Sequence, residues 1–264
     1  MEELKFFSNS QAAYRYGRST CDHLLVLQEI FFHYRYSRKG LNPSRCKVAL
    51  YLCFLDLRKA FDTVSRKLLF LKLKALGIQG KIYHAVKDLF SNTTAKVRVG
   101  DFVSRSFEIK SGVMQGSKLG PLLFLIFIND LLEELNASQL GVSLGKLAVS
   151  ALGFSDDIVL LADTAEKLQE MINLCHDWSG NNGMNFNIDK CKIMTLNLRK
   201  PATRFYLAGK EIKFTDRYKY LGVTLSNRMQ TSLFTHHISS ILEKAEKRVN
   251  CIRHFGFQGD QRPV

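Results

Sequence analysis

Residues 47–57, KVALYLCFLDL, leave the chain little freedom. Between Lys47 and Asp56 every side chain is apolar, so the alternation of a half-wet strand is absent, and the run reads as a strand buried on both faces. Asp56 closes the run, where a central strand presents a side chain at the rim of its sheet. A 264-residue chain with 46% hydrophobic residues can bury such a strand, as one large domain or two modest ones.

A second apolar stretch, LAVSALGFSDDIVLLA (147–162), is interrupted by adjacent acids. Its flanks, 147–154 and 158–162, read as strands. Ser155-Asp156-Asp157 reads as the tip of their hairpin, a place that Ser and Asp favour because their side chains bond the local backbone. Taken alone, that is only a turn.

Around these strands the pattern switches repeatedly between periods. Leu24, Leu27, Ile30 and Phe31 space one buried face of a helix over 19–36, and Asn42-Pro43-Ser44 makes a break. Ser65 caps a helix over 66–76 that stops at Gly77. A further helix is expected over 81–91, and a hairpin over 95–110 turning at Gly100-Asp101. SGVMQGSKLG (111–120) is a glycine-rich loop, with Pro121 as the first residue of a helix through Leu135. Asp163-Thr164-Ala165-Glu166 is a capping signature ahead of an amphipathic helix marked by Leu168, Ile172, Cys175 and Trp178, and GNNG (180–183) ends it. MNFNIDKCKIMTLN (184–197), RFYLAGKEIKF (204–214, turning at Ala208-Gly209) and YKYLGVTLS (218–226) supply strands, and a basic helix over 237–254 closes the chain. Without a regular βαβ rhythm, this is an α+β layer fold with helices backing one sheet.

Lys and Arg outnumber Asp and Glu by 38 to 24, a formal charge of +14 that favours a polyanionic partner, nucleic acid before an anionic membrane surface. The membrane loses further ground: the greasiest run, 122–128, is far too short to span a bilayer, and the polar start is no secretory signal. Six cysteines without a C-x-x-C pair and seven histidines without H-E-x-x-H give neither a disulfide framework nor a zinc site. An intracellular protein, nuclear or cytoplasmic, is expected.

Asp56 gives the acidic hairpin tip its second meaning. If the two strands are neighbours, Asp56, Asp156 and Asp157 converge, and three carboxylates repel unless a cation holds them. Oxygen donors without His or Cys favour Mg²⁺, with Mn²⁺ as a substitute. Two such ions about 4 Å apart serve in-line phosphoryl transfer.

Six blocks in order then carry a family resemblance. QAAYRYGRSTCDHLLVLQEI, LYLCFLDLRKAFDTV, SGVMQGSKLGPLLFLIFINDLL, GFSDDIVLLA, GMNFNIDKCKIMTL and YKYLGVTLS resemble the finger block and motifs A to E of the reverse transcriptase domain of non-LTR (LINE-type, jockey-like) retrotransposons. The resemblance implies a right-hand polymerase core: 1–46 partial fingers, 47–216 an antiparallel palm backed by helices with an inserted finger-like segment at about 77–110, and 217–264 the primer grip and the beginning of a thumb. It implies an RNA-directed DNA polymerase working on an RNA template, a DNA primer and deoxynucleoside triphosphates. Asp56 and Asp156 would bridge the two metal ions, with Asp157 completing the acidic cluster. Phe61 would pack under the incoming sugar and exclude a 2′-hydroxyl. Gln115 and Gly116 would meet the nascent base pair, Gly116 by close backbone approach and Gln115 as a donor. Arg15 and Arg18 would reach the triphosphate from the fingers. Lys190 or Lys192 would neutralise it, Lys190 aligning better, and Tyr220-Leu221-Gly222 would hold the primer end. Asp62 is read instead as a helix N-terminal acid, and Lys244, Lys247, Arg248 and Arg253 either as a helix face that tracks a duplex backbone or as a plain solvated face.

Departures from the pattern are Ser155 where Ala is usual, Lys118 for Pro, Gly120 for Ser, Ala13 for Gly and Tyr14 for Phe. None removes a metal ligand. The finger block with a W/Y-R-P-I pattern does not precede Gln11, no endonuclease is present, and the chain stops just after one thumb-like helix. The expectation is an excerpt of a longer element protein that carries an endonuclease. The alternative is a truncated, catalytically silent nucleic-acid-binding remnant; a group II intron or retron-type enzyme shares the core but fits motifs A and E less well.

Overall fold

The structure, a computed structural model, describes residues 6–36, 49–145, 147–196, 203–227 and 233–256. The expected break at Asn42-Pro43-Ser44, and Cys46, lie outside the described residues, as does the side chain of Arg253. In chain order the elements are α1 (Thr20–Tyr36), β1 (Leu50–Asp56), α2 (Ala60–Thr63), α3 (Arg66–Ala75) and α4 (Gly80–Phe90). Four two-residue strands follow: β2 (Thr94–Ala95), β3 (Arg98–Val99), β4 (Phe102–Val103) and β5 (Phe107–Glu108). Then come α5 (Leu119–Ala137), β6 (Val142–Leu144), β7 (Leu147–Val149), β8 (Ala151–Phe154), β9 (Asp157–Ala162) and α6 (Ala165–Asn182). The chain ends with β10 (Lys192–Leu196), β11 (Phe205–Leu207), β12 (Lys210–Phe214), β13 (Arg217–Tyr220), β14 (Val223–Ser226) and α7 (Thr235–Gly256).

The main sheet runs β11-β12-β10-β1-β9-β8, so the fully apolar strand is central, as its sequence demands. All its pairings are antiparallel except β10 with β12, which is parallel. Alternation along β1 sends Tyr51, Cys53 and Leu55 to one core and Leu50, Leu52 and Phe54 to another. The first core is roofed by α3, α5 and α6. The second is closed by α1 and the β13–β14 hairpin, so helices cover one face while a helix and a hairpin cover the other. Phe54 is fully buried and stacks on Tyr218 at 4.0 Å between ring centroids, a burial that contributes on the order of 2–3 kcal/mol.

Polar ties fix the helices to each other. Lys72 Nζ donates to the Phe127 carbonyl at 2.7 Å and pairs with Asp130 at 2.7 Å, and Asp130 also accepts from Trp178 Nε1 at 3.0 Å, joining α3, α5 and α6. Arg66 donates to the carbonyls of Phe90, Ile109 and Gly112 and to Thr93 Oγ1, pinning the inserted segment to the glycine-rich loop. At the opposite side His23 and Tyr220 share a hydrogen bond of 3.2 Å between α1 and β13; burial drives the His23 imidazole down to about 4, so it is neutral there.

Several boundaries differ from expectation for local reasons. The run 147–154 is two strands, because its first part pairs with β6 while Ser150 turns its carbonyl to the Leu161 N–H; Gly141 allows the crossing, since a Cβ there would lie 2.3 Å from the Val149 carbonyl oxygen. Helix α5 begins at Leu119 rather than Pro121, because Ser117 Oγ accepts from the Gly120 N–H at 2.8 Å and caps the turn earlier. YKYLGVTLS is a hairpin, not one strand: Leu221 (φ 47°) and Gly222 (φ 82°) form its two-residue turn. Of the described residues 184–196, only 192–196 form a strand; residues 187–191 turn back, with the N–H groups of Lys190 and Cys191 both donating to the Asn187 carbonyl. Among the described residues no helix is long and apolar enough to cross a membrane.

Candidate active site

Strands β1 and β9 are neighbours, and the register sets Asp56 directly opposite Asp157. Asp156 sits in the β8–β9 turn, reached because Ser155 takes the left-handed conformation at φ 60°. Asp56 and Asp156 line one open cavity of about 360 Å³ together with Arg58, Lys59, Phe61, Gln115 and Lys190. Asp157 does not line it. Burial pushes the Asp157 carboxyl above its ordinary value, and the charges of Asp156 and Asp56 push it the same way. Among the described residues no group of three or more His, Cys, Asp or Glu is disposed to hold a metal ion. The cavity therefore offers two carboxylates, where the sequence led to the expectation of three.

The walls are set by backbone bonds. The turn at 187–190 is anchored by the Asn187 N–H donating to the Asp56 carbonyl at 2.7 Å, which brings Lys190 Nζ to 3.6 Å from Asp56 Oδ2. Lys192 lies on β10, outside the cavity, with its ammonium on the Asp189 carbonyl. Arg58 and Lys59 stand two and three residues after Asp56 and carry no motif of their own in the sequence; their closeness to the acid is the available signal. Two acids and three cations in one cleft suit a polyphosphate carried with a divalent cation.

Gln11 was also missed as an individual residue. It is fully buried, its Oε1 accepts from the Ser155 N–H at 3.1 Å and from the Ala13 N–H at 2.9 Å, and its segment bridges to Gly153. It thus holds the acidic turn from behind. Ser155 itself is buried with its hydroxyl oxygen unpartnered. Ser155→Ala should therefore stabilise the protein, by about 1 kcal/mol, because it removes a desolvated hydroxyl that bonds nothing. Urea unfolding measures this, and a lower midpoint for the variant would contradict it.

Phe61 is half-buried and stacks on the fully buried Phe124 at 4.6 Å and 20°, leaving its rim on the cavity. Gln115 Nε2 donates to Asp62 Oδ1 at 2.8 Å, so Asp62 serves the glycine-rich loop and not only the N-terminus of a four-residue helix. Gly116 has φ 79° and nothing within 4 Å of an added Cβ; its conformation, not a close approach within the protein, calls for glycine. Arg15 is turned to its own segment, donating to the carbonyls of Ser8 and Gln11, and neither it nor Arg18 lines the cavity. Tyr220 is buried under the hairpin, so of the three expected primer-grip residues Gly222 is the exposed one and Leu221 is half-buried. Lys244, Lys247 and Arg248 are exposed on α7.

The sequence matches the family described as reverse transcriptase (RNA-dependent DNA polymerase) over residues 1–225. It is 28% identical over 203 residues to the retrovirus-related Pol polyprotein from type-1 retrotransposable element R2 of Popillia japonica, covering 73% of this chain and 34% of that protein. It is 29% identical over 204 residues to the RNA-directed DNA polymerase from mobile element jockey of Drosophila funebris, covering 75% of this chain and 21% of that protein. The chain thus spans about a third or less of the length of these relatives. Among solved structures, telomerase from Candida tropicalis in complex with a fragment of telomeric RNA superposes with a TM-score of 0.61 at 13% identity, over 88% of this chain and 36% of that one, which is a likeness of fold. With the palm-type sheet, the acid pair and the full order of blocks on one chain, the protein belongs to the reverse transcriptase family, and its relatives are the R2 and jockey elements of the non-LTR retrotransposons.

Proposed function

We propose that this chain is the polymerase core of a non-LTR retrotransposon protein and extends a DNA primer on an RNA template. The observation that carries the proposal is the union of Asp56 and Asp156 with Arg58, Lys59 and Lys190 in one cleft. In this reading residues 1–46 are partial fingers, 47–216 the palm with an inserted segment at about 77–110, and 217–264 the primer grip and the start of a thumb. The chain is, in this reading, part of a longer parent protein that carries an endonuclease elsewhere and works in the nucleus or cytoplasm.

The donor set fits Mg²⁺, which takes one or two carboxylates and completes its shell with water and phosphate oxygens. Asp56 and Asp156 would hold it, as two ions, with Mn²⁺ as a substitute. When bound, the metal supplies positive charge to the oxygens that gain negative charge in phosphoryl transfer. The reaction joins the primer 3′-oxygen to the α-phosphorus of a deoxynucleoside triphosphate and breaks the α–β phosphoanhydride bond, releasing pyrophosphate. Lys190 Nζ stands at the cavity wall as a proton donor to the departing pyrophosphate oxygen, and Arg58 and Lys59 bind the phosphates. Phe61 sets the floor under the sugar, Gln115 and Gly116 border the nucleotide, and the Leu221-Gly222 turn guides the primer. The excess of +14 binds both strands through their phosphates.

The purified chain, given a DNA primer annealed to an RNA template, four deoxynucleoside triphosphates and Mg²⁺, should lengthen the primer stepwise and stop on addition of EDTA. Salt-sensitive binding of the duplex without extension in Mg²⁺ or Mn²⁺ would identify the silent remnant instead and overturn the proposal.

A further inference from the structure

His23, in the first turn of α1, is 3% exposed and touches two hairpins at once. On one side its ring meets Phe154 edge to face, at 6.1 Å between centroids and 82°. Phe154 ends β8, two residues before Asp156, and pairs with Asp157. On the other side Nδ1 of His23 shares the 3.2 Å hydrogen bond with the Tyr220 hydroxyl. Tyr220 ends β13 and pairs with Val223, so Leu221 and Gly222 alone make the turn between them. The acidic turn and the Leu221-Gly222 turn are thus spaced across one buried imidazole, which also hydrogen-bonds the Ser10 main chain.

The β13–β14 hairpin is a two-stranded sheet of its own, apart from the six-stranded one. It leans on the central strand through aromatic rings, Tyr218 on Phe54 at 4.0 Å and Tyr220 on Phe54 at 5.8 Å. Such contacts press a hairpin down without fixing where it stops, because paired rings tolerate offset along their planes. A hydrogen bond is sharper in both distance and angle. Tyr220 is 2% exposed, so water does not stand in for the imidazole, and a hydroxyl left unbonded there is costly. A two-residue turn has no slack, and a shift of Tyr220 passes directly to Leu221 and Gly222.

We propose that His23 is a positioning residue which, through Tyr220, sets the distance of the Leu221-Gly222 turn from the acid cleft and so places the primer 3′ end. The inference rests on the polymerase reading of the cleft and adds to it a residue outside the cleft that acts on the primer alone. Without the bond the hairpin still packs on Phe54, but its tip takes several offsets. A matched primer end then spends less time where Asp56 and Asp156 act on it, while nucleotide binding is untouched.

The test uses the 264-residue chain in excess over a DNA primer annealed to an RNA template, with Mg²⁺ and dTTP, below the melting midpoint of every variant. Single-turnover rate constants are measured for a matched and for a mismatched primer end, so that the fraction of folded protein does not enter. His23→Leu, and Tyr220→Phe, which deletes a single oxygen, should each slow the matched end roughly tenfold, the factor carried by one hydrogen bond. A mismatched end is misplaced already and should change little, and the Kd for dTTP should hold. The double variant should be no slower than the slower single one, since both remove the same bond. His23→Asn carries its amide where the imidazole carries Nδ1 and should keep most of the native rate. Matched-end rates within about threefold of native in both single variants, or a double variant slowed by the product of their effects, overturns the proposal. Equal slowing of matched and mismatched ends does so too, as does a His23→Asn rate as low as that of His23→Leu. If the native chain extends neither primer in Mg²⁺ or Mn²⁺, the polymerase reading itself fails and takes the proposal with it; native extension with variants that match it sinks the proposal alone.

Discussion

Asp156→Asn should lower Mg²⁺-dependent primer extension by at least about a thousandfold, the scale on which loss of a preorganised charge acts on a charge-stabilised transition state. Asn keeps the size of Asp and its turn chemistry, so the left-handed Ser155 and the Gln11 bond behind it should survive. What is lost is one of the two carboxylates that line the cleft among the described residues. Binding of the primer–template duplex should hold or tighten, because a negative charge leaves a basic surface. Asp157→Asn provides the contrast. Its carboxyl is raised above its ordinary value by desolvation and by the charges of Asp156 and Asp56. That shift has a definite sign: the fold is favoured relative to the unfolded chain below the ordinary aspartate pKa, and the advantage is lost as pH rises through the folded value. An uncharged Asn at 157 should accordingly raise the melting midpoint at pH 7. Extension by Asp156→Asn at more than a tenth of the native rate, with matched midpoints, would overturn the assignment of the cleft.

The sequence made the centre of the fold legible because buried strands write their environment into composition. The run ending at Asp56 is the central strand, and the helix caps at Ser65 and Thr164 stand where the sequence put them. The turn at Gly100-Asp101 joins Val99 to Phe102 as expected. Short-range signals of this kind carry their own geometry. Long-range choices do not. Nothing in LAVSALGF says that 147–149 pairs with β6 while 151–154 pairs with β9, since both halves are equally apolar and only the approach of Gly141 separates them. At the site, the pairing of Asp56 with the acidic hairpin followed from two strand ends, but which acids share a cavity depends on side-chain direction. The acidic hairpin tip makes Asp157 a site candidate and the family pattern makes Tyr220 one; Asp157 does not line the cleft and Tyr220 is buried beneath the hairpin. Arg15 was expected at the triphosphate and is instead turned to two carbonyls of its own segment, a competition that charge alone cannot foresee. Gln11 and Asp62 act through single hydrogen bonds to residues more than 50 positions away, at separations of 144 and 53, so no local pattern marks them.

Phe61→Val should let ribonucleotides in. The ring of Phe61 lines the cleft on its rim and is backed at 4.6 Å by Phe124, which is fully buried and has no room to retreat. In the proposed reading, a substrate hydroxyl that meets such a stacked pair would have to displace two rings from a close-packed core, and that cost would exclude it. Val keeps the site apolar and opens the volume of the outer ring alone. The ratio of kcat/KM for dTTP over UTP should fall roughly a hundredfold, in the range that shape discrimination over a single small group can supply. The same change removes an aromatic contact, and the protein should lose about 1–2 kcal/mol of stability. These two effects separate cleanly. A loss of folded protein lowers both nucleotides' rates together and leaves their ratio unmoved, whereas removal of the barrier changes the ratio at any protein concentration. Steady-state extension with each nucleotide alone on an adenine-containing RNA template measures it. A ratio within threefold of the native value would make Phe61 a core residue and nothing more, and the determinant of sugar choice would then lie among the loop residues around Gln115.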